Sequence, residues 1–341
     1  MSIKEIKNEQ EWDGFITAQD EHTFLQSWAW GELNKELGDK IFRIGIYKNK
    51  KIVAAILIIK VNARRGNFLF IPHGPVVNKD LDISMYEVIE ELTNELRNIA
   101  KKEKDVVFIR ISPLMKDMPE NKKIFQNFGY MDAPIYMHAE TTWQVDLNRK
   151  EKEIMMDMRK NTRNLIRRAG REGVEVISGT GEDLTEEFLK LYKETAKAQG
   201  FVPFSDKYIK KEIEKFRGDA KIYLAKWKGK VLSTALIPAY GDSAFYHHGA
   251  NSAKHRKIPA SYALQWQAIR DAKEEGRAHY NFWGIAKDTE DKNHPWYGLS
   301  LFKRGFGGYR KDYLHAQDLP LKWTYVVNYV VEKIRLIKRG V

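Results

Sequence analysis

The chain repeats itself at a nearly constant spacing, and this repeat constrains the fold more than any other feature of the sequence. A hairpin pattern with a basic turn occupies residues 41–60 and returns at 220–237. The segment FIPHGP, which contains Gly74, matches FYHHGA, which contains Gly249, 175 residues later. Farther along, a helix end at Gly129 matches one at Gly305, 176 residues later. Two matches at nearly the same offset predict an internal duplication and two similar domains.

Each half of the chain has the same order of predicted elements: helix, helix, β-meander, helix, strand, helix, strand. This order resembles that of the GNAT acyltransferases, in which two neighbouring strands diverge and leave a cleft beside a helix N-terminus. The resemblance implies an α+β fold of two tandem GNAT-like domains, each with a mixed central sheet flanked by helices, without a coiled-coil arm. We expect a first domain at 1–147, completed by a C-terminal helix at 317–341, and a second domain at 148–316.

The loop that binds CoA in GNAT enzymes is missing from both halves. That loop is rich in glycine, and its backbone amides hold the pyrophosphate. The corresponding residues are acidic in the first half, VNKDLD at 77–82, and lack glycine in the second, HRKIPAS at 255–261. We therefore expect no cofactor. The basic residues around Arg256 precede the next helix, however, so this second loop is a candidate anion site.

A run of cations lies between the two halves. Arg159, Arg163, Arg167 and Arg171 recur every four residues, so a helix would display them along one face. No acidic residue interrupts 158–171, and like charges in such a stripe repel one another. The stripe therefore indicates an anionic partner, although a solvated basic face is the alternative. The net charge of +12 likewise indicates nucleic acid, a phosphorylated substrate or an anionic membrane surface.

Several other kinds of site are not indicated. The chain has no cysteine, which excludes disulfides, thiolate nucleophiles and cysteine-ligated metals. His247 and His248 are adjacent in a predicted strand, so we expect their rings to point to opposite faces and to bind no metal together. No stretch is apolar enough for a signal peptide or a membrane span, so we expect a cytoplasmic protein. We also expect a monomer.

The cationic run carries the most specific motif in the chain. It reads like LR-x-x-TR-x-x-IR-x-A-x-x-x-GV, with matches at Met158-Arg159, Thr162-Arg163, 165–169 and Gly173-Val174. Further matching pieces are Phe24-Leu25-Gln26-Ser27 with Trp30, Ile109-Arg110-Ile111 with Pro113, Tyr208, and Phe302-Lys303 with the glycine-rich 305–308. These segments, spread over essentially the whole chain, resemble the FemABX family of peptidyltransferases.

That resemblance implies the transfer of an amino acid from aminoacyl-tRNA to the stem peptide of a peptidoglycan precursor. The acceptor amine would attack the ester directly, and the precursor would be either nucleotide-linked or lipid II. The chain resembles the shorter, armless members, but it has Ser112 where some members carry Asp, and Phe204 where the armless type can place Arg. Two alternatives stay open: a CoA-dependent N-acyltransferase of the same fold, and a non-enzymatic module that binds RNA or a membrane surface.

The resemblance also assigns site residues. Lys303, with Phe302 beside it, is predicted to be catalytic, because a fixed cation in a dry cleft stabilises the oxyanion of ester aminolysis. Its alternative role is a solvated surface lysine. The predicted substrate-binding residues are Trp30, Lys35, Arg110, Tyr208 and His248. The predicted tRNA- or phosphate-binding residues are Arg159, Arg163, Arg167 and Arg256. Arg110 has a structural ion pair as its alternative, and Trp30 a place in the core.

The C-terminal segment, residues 321–341, alternates apolar and basic residues at helical spacing. It predicts an amphipathic helix with an apolar face. The family resemblance implies that this face packs against the first domain. Contact with an anionic inner-leaflet surface is the second possibility, since basic residues flank the apolar ones.

Overall fold

The structure, a computed structural model, describes residues 1–80 and 83–339, with side chains described as far as residue 336. The chain forms two compact units of mixed α/β structure. The first comprises residues 1–141, 293–295 and the described residues from 311 onwards. The second comprises residues 142–292 and 296–310. Leu81 and Asp82 of the predicted acidic loop, and the last two residues of the C-terminal segment, lie outside the described residues.

The elements follow one another with few long connections. Up to residue 140 the strands are β1 (Ser2–Glu5), β2 (Lys40–Lys48), β3 (Lys51–Val61), β4 (Asn67–Pro72), β5 (Val76–Val77), β6 (Val106–Ser112) and β7 (Met131–Asp132). The helices of this part are α1 (Glu9–Thr17), α2 (Trp28–Glu36), α3 (Met85–Glu103) and α4 (Pro119–Asn127).

The remaining elements start at residue 141. The strands are β8 (Thr141–Asp146), β9 (Val174–Gly179), β10 (Ala220–Trp227), β11 (Lys230–Tyr240), β12 (Ser243–Phe245), β13 (His248–Asn251), β14 (His279–Gly284), β15 (Tyr309–Asp312) and β16 (Gln317–Pro320). The helices are α5 (Glu151–Asp157), α6 (Lys160–Arg171), α7 (Glu182–Gln199), α8 (Asp206–Lys215), α9 (Ala260–Glu274), α10 (Tyr297–Arg304) and α11 (Tyr325–Arg339).

The two sheets have the same topology. The first has the order β1-β2-β3-β4-β6-β16-β7, with β5 on β3, and the second has the order β9-β10-β11-β12-β14-β8-β15, with β13 on β11. In each sheet one central pair is parallel, β4 with β6 and β12 with β14, and the meander before it is antiparallel. The longest described helix, α3, has 19 residues, so no coiled-coil arm occurs among residues 1–80 and 83–339. The predicted tandem fold is therefore confirmed.

One strand lies in a different sheet from the one predicted. The strand expected at about 141–147, at the end of the first domain, is β8, and it pairs with β14 in the second sheet, with Asp146 opposite His279. The matching place in the first sheet is filled by β16, which pairs with β6 so that Gln317 lies opposite Ile111. The helix predicted to begin at residue 317 therefore begins only at Tyr325, because residues 317–320 form this strand. Both sheets need an antiparallel strand beyond the parallel pair, and an apolar strand pattern does not specify its neighbour.

Local sequence signals account for the helices that the sheets carry. Ser84 and Glu87 form the predicted capping box of α3, which buries Val88, Leu92 and Leu96 against the first sheet. In the family-like segment 24–27, the buried Gln26 accepts a hydrogen bond from the backbone of β3 and donates one to the end of β4. This segment therefore fixes the start of α2 to the sheet.

The second unit opens where β12 and β14 stop pairing. The last paired residues are Phe245 and Asn281, and β13 then begins at His248 and pairs only with β11. Trp283 has a positive φ of 64°, which is uncommon for a bulky residue, and its amide donates to the side chain of Asn281. The strands thus diverge as the GNAT resemblance predicts, and the residues after 245 and 281 line the opening.

Candidate functional site

Lys303 lies at the opening between the diverging strands of the second unit. It is on α10, is 5% exposed, and donates a hydrogen bond from Nζ to the carbonyl oxygen of Gly284 at 2.6 Å. The ring of Tyr246 lies 5.6 Å from the same nitrogen. Burial lowers the pKa of the Lys303 ammonium to about 7. The predicted alternative of a solvated surface lysine is wrong, and this amine can gain or lose a proton near neutral pH.

Close packing of α10 holds Lys303 in place. Phe302 is half-buried and packs edge-on against Tyr262 and Phe306, with ring centroids 5.0 and 5.3 Å away. One turn earlier, the hydroxyl of Ser300 accepts a hydrogen bond from the backbone amide of Ala286, just beyond β14. Phe302 therefore orients the helix that carries Lys303, and its predicted place in the catalytic site stays a prediction.

The cationic segment is attached directly to the end of α10. Arg159, the cap residue of α6, donates its backbone amide to the carbonyl oxygen of Gly305 at 3.0 Å. A Cβ at position 305 would lie 2.6 Å from Oγ1 of Thr162, so only glycine allows this close approach. The first turn of α6 and the last turn of α10, which carries Lys303, therefore form one packed corner.

The predicted arginine stripe is only partly available to a ligand. Arg159, Arg167 and Arg171 are exposed. Arg163, however, is half-buried and donates to the backbone carbonyls of Met156 and Met158. Its guanidinium closes the turn between α5 and α6, which corrects the prediction that it faces a phosphate. The reason is local: carbonyls at the end of α5 lack intrahelical partners, and a long cation can reach them.

Arg256 lies beside a cavity of about 320 Å³ at the N-terminus of α9. The cavity is also lined by Lys254, His255 and Ser261. The side chains of Lys254, His255 and Arg256 are exposed. A helix N-terminus and nearby cations both favour an anion. The predicted anion site thus has a cavity, and it belongs to the same unit as Lys303.

His247 and His248 do not point to opposite faces. Both rings contact the carboxylate of Glu212 on α8. Nδ1 of His247 is 2.7 Å from one carboxylate oxygen, and Nε2 of His248 is 3.1 Å from the other. The expected alternation fails because these residues lie at the break between β12 and β13. Burial favours a higher pKa for Glu212, but the two imidazoles outweigh it and lower this pKa to about 2. Burial, then His247, lowers the pKa of His248.

Tyr208 is connected to this cluster through aromatic contacts. Its ring stacks on Phe204 at 4.5 Å, and Phe204 lies edge-on to His248 at 5.3 Å. Burial, and then the negative charge of Glu212, raise the pKa of the Tyr208 hydroxyl well above its usual value. Tyr208 and His248, both predicted to bind substrate, are therefore brought together in the second unit.

Two of the substrate-binding residues predicted in the first unit have structural roles instead. Trp30 is 5% exposed and packs edge-on against Phe24 and His138, so the core alternative is correct. Arg110 is 1% exposed and is held by Asp318, through two hydrogen bonds of 2.7 Å, and by Glu332. Burial acts to lower the pKa of Arg110, but the two carboxylates outweigh it and raise that pKa.

Arg110 therefore forms the structural ion pair that was its alternative role. Its carboxylate partners come from β16 and α11, more than 200 residues along the chain. Lys35, by contrast, is exposed and lies 3.8 Å from Glu32, so it remains open to a ligand. The prediction that Lys35 binds substrate stays a prediction.

Several residues at the opening carried no sequence signal for a site. Glu212 lies in a polar helix pattern that predicts solvent, yet it is fully buried. The carbonyl of Gly284 and the ring of Tyr246 surround Lys303 because two strands diverge at that level. The repeat match at FYHHGA could have identified Tyr246, since it marks the strand end of the second half.

The C-terminal helix α11 buries one face and exposes another. Tyr325 packs against Phe108 in the first unit, with ring centroids 5.2 Å apart. Trp323, just before the helix, is 82% exposed. Among the side chains described up to residue 336, Val326, Val327, Val330 and Ile334 of this helix are also exposed. No helix within residues 1–80 and 83–339 is long and apolar enough to cross a membrane.

Comparison with known proteins identifies the family of the chain. The model of the FemAB family matches residues 8–230 and 226–333. A Staphylococcus aureus (strain COL) protein named lipid II:glycine glycyltransferase is 24% identical over 391 residues, covering 92% of this chain and 91% of its own.

Two solved structures extend the comparison to the fold. The crystal structure of FemX superposes with a TM-score of 0.83 at 19% identity, covering 97% of this chain and all of its own. A tandem GNAT protein from the clavulanic acid biosynthesis pathway has a TM-score of 0.58 at 12% identity, with coverages of 94% and 98%. The family match spans nearly the whole chain and both halves of the fold, and the chain accordingly belongs to the FemAB family.

Proposed function

We propose that this chain is an aminoacyl transferase that moves an amino acid from an aminoacyl-tRNA ester to an amine on the stem peptide of a peptidoglycan precursor. One observation carries the proposal: a buried lysine, Lys303, lies beside the opening between the diverging strands of the second unit. The family membership and the activity named for the Staphylococcus aureus relative support the same reaction.

Lys303 acts on the tetrahedral intermediate. The acceptor amine attacks the ester carbonyl, a C–N bond forms, and the carbonyl oxygen gains a negative charge. The Lys303 ammonium donates a hydrogen bond to that oxygen, and its burial makes the interaction stronger than it would be in water. The C–O bond then breaks, the proton lost by the amine balances the one gained by the leaving hydroxyl, and the tRNA departs. The carbonyl oxygen of Gly284 accepts a hydrogen bond from one of the three ammonium hydrogens of Lys303.

The donor is proposed to be a tRNA because exposed cations lie on α6, next to the helix end that carries Lys303, and phosphates are the partners such cations favour. The exposed Arg159 lies at the corner that the start of α6 forms with the end of α10, and the exposed Arg167 follows on α6. Arg256 adds a cation beside the cavity at α9. Salt-dependent binding to phosphates is the expected property of such a surface. Proximity of the bound ester and amine would then contribute much of the rate enhancement.

A direct experiment tests the whole reaction. The purified protein is incubated with a mixture of charged tRNAs and either lipid II or a nucleotide-linked precursor, and the precursor is analysed by mass spectrometry. The expected result is a mass gain of one amino acid residue on one acceptor, lost after RNase treatment. This result would identify the amino acid and the acceptor together. Absence of any gain with every tRNA and both precursors would refute the proposal.

The fold and the cavity at the N-terminus of α9 favour one second candidate, an N-acyltransferase that uses CoA. The loop before α9 has no glycine to bring its backbone close to a pyrophosphate, which argues against it. Saturable acetyl-CoA binding, with activity insensitive to RNase, would decide for this candidate. If the chain were only a binding module, Lys303→Met would leave its function intact, whereas charge reversal at Arg159 and Arg167 would abolish it.

We also propose that the exposed face of α11 contacts an anionic membrane surface. Val326, Val330 and Ile334 lie on that face, the exposed Trp323 precedes the helix, and the basic Lys322 and Arg335 flank it. An apolar face bordered by cations is the pattern of helices that lie in a lipid interface. Binding to vesicles containing phosphatidylglycerol should exceed binding to neutral vesicles, and Val330→Asp should reduce it. Equal binding to both vesicle types would contradict this contact.

A further inference from the structure

Glu212, His247 and His248 form a compact cluster that the transfer mechanism does not use. One possible ligand atom from each residue lies within 4.8 Å of the other two. The carboxylate faces Nδ1 of His247 at 2.7 Å and Nε2 of His248 at 3.1 Å. All three residues belong to the second unit, with Glu212 on α8 and the histidines at the break between β12 and β13.

The backbone at this break places the rings of the two consecutive histidines on the same side of the chain, facing Glu212. In a regular strand their rings would be on opposite faces, but here the ring centroids are 3.9 Å apart. The rings of Tyr192 and Phe204 lie 5.9 and 5.3 Å from His248. A polar group of two imidazoles and one carboxylate inside an aromatic shell is the donor set that zinc and related divalent metals prefer.

Charge balance also favours a cation at this position. Glu212 is 0% exposed, and an ionised carboxylate without a compensating positive charge is costly in such a place. A divalent ion bound to all three side chains would supply that positive charge.

The geometry requires little change to hold an ion. With metal–ligand bonds of about 2.0 Å in tetrahedral coordination, the imidazole nitrogens and the carboxylate oxygens would be roughly 3.3 Å apart. The present nitrogen–oxygen distances of 2.7 and 3.1 Å, each to a different oxygen of the carboxylate, would have to widen by about 0.6 and 0.2 Å. Both histidines already present a ring nitrogen to the carboxylate, so neither ring has to flip.

We propose that Glu212, His247 and His248 bind one divalent transition-metal ion, with Zn²⁺ as the best fit, and leave a fourth coordination position for water or a small ligand. The ion joins α8 to the bend between β12 and β13, and so fixes one wall of the opening. This proposal does not depend on the transfer activity, because the ion is detected by its own signals.

The test uses untagged protein that has been stripped with a chelator and then titrated with Co²⁺. The expected result is uptake of one equivalent with the visible absorption bands of tetrahedral Co²⁺, and displacement by Zn²⁺. Glu212→Gln and His248→Gln should each weaken binding by more than about 100-fold, since even outer-shell changes cost about 10- to 100-fold in affinity. His315→Gln is the matched control: His315 pairs with Glu140 in the first unit, and its loss should not change uptake.

Failure of the stripped wild-type protein to take up Co²⁺ or Zn²⁺ would overturn the proposal. So would uptake that the Glu212 and His248 variants leave unchanged, because the metal would then be elsewhere. If those variants do not fold, X-ray absorption of the zinc-loaded wild type decides. Two imidazole ligands and a carboxylate support the site, and any other ligand set refutes it.

Discussion

Replacing Lys303 with methionine should change how the stability of the second unit depends on pH. The lysine is buried, and its pKa falls from 10.5 to about 7 in the folded chain. Between those values the unfolded chain binds more protons than the folded chain, so stability rises with pH through that window. The penalty for burying the ammonium is therefore complete below about pH 7 and absent above about pH 10.5.

The magnitude follows from the two pKa values. Their difference corresponds to about 5 kcal/mol at low pH. Between about pH 6 and about pH 9, wild-type protein should gain about 3 kcal/mol of stability relative to Lys303→Met. Loss of the hydrogen bond to Gly284 adds a cost to the variant, but that cost of about 1–3 kcal/mol does not vary with pH.

The assay has to report on the second unit alone, because a chain with two units need not unfold in one step. The protein has no cysteine, so a single Ala225→Cys, placed in the core of that unit, provides a thiol label. Labelling in urea, corrected for thiol ionisation, gives the free energy of unfolding at each pH for both backgrounds.

Lys230→Met serves as the control for this series. Lys230 is exposed at the hairpin turn, and its replacement should leave the pH profile unchanged. A constant difference between wild type and Lys303→Met from about pH 6 to about pH 9 would refute the reasoning. It would mean that Lys303 is solvated in the folded chain.

Three further predictions concern the surrounding structure. Arg110→Met leaves the buried carboxylate of Asp318 without its cation, so urea unfolding should show that the free energy of unfolding of the first unit falls by about 3–5 kcal/mol. Unchanged stability would contradict the ion pair. Gly308→Ala should cost at least about 2 kcal/mol, because φ is +89° and the new Cβ would collide with a β8 carbonyl. Gly298→Ala, with open space around it, should be neutral or stabilising, and equal melting temperatures for the two variants would contradict this account. Arg167→Gln should lower the salt dependence of tRNA binding by a log–log slope of about 1, whereas Arg163→Gln should leave the slope unchanged, and a reversed order would contradict their assigned roles.

The elements of this fold could be predicted because their signals are local. The capping box at Ser84 and the basic turns of the two hairpins depend on residues a few positions apart. The order of elements and the constant offset between the halves then led to the tandem fold. The position of β8 in the second sheet was not predicted, because strand pairing is a long-range choice between two similar edges.

The site was predicted less well, for physical reasons that differ from residue to residue. Lys303 was identified through a motif, and its burial and partner carbonyl became visible only in three dimensions. Arg110 finds its carboxylates more than 200 residues away, which no local pattern reveals. Glu212 looks like a solvated helix residue until the strand break turns both histidines towards it.

The rate of amino acid transfer in a single turnover tests the central claim most directly. One charged tRNA and an excess of precursor are mixed with wild type, Lys303→Met or Lys230→Met, and the loss of the ester is followed. The account predicts that Lys303→Met is slower by about 100- to 1,000-fold, the usual cost of losing one donor to the oxyanion, while Lys230→Met is unchanged. Equal rates for wild type and folded Lys303→Met would contradict it.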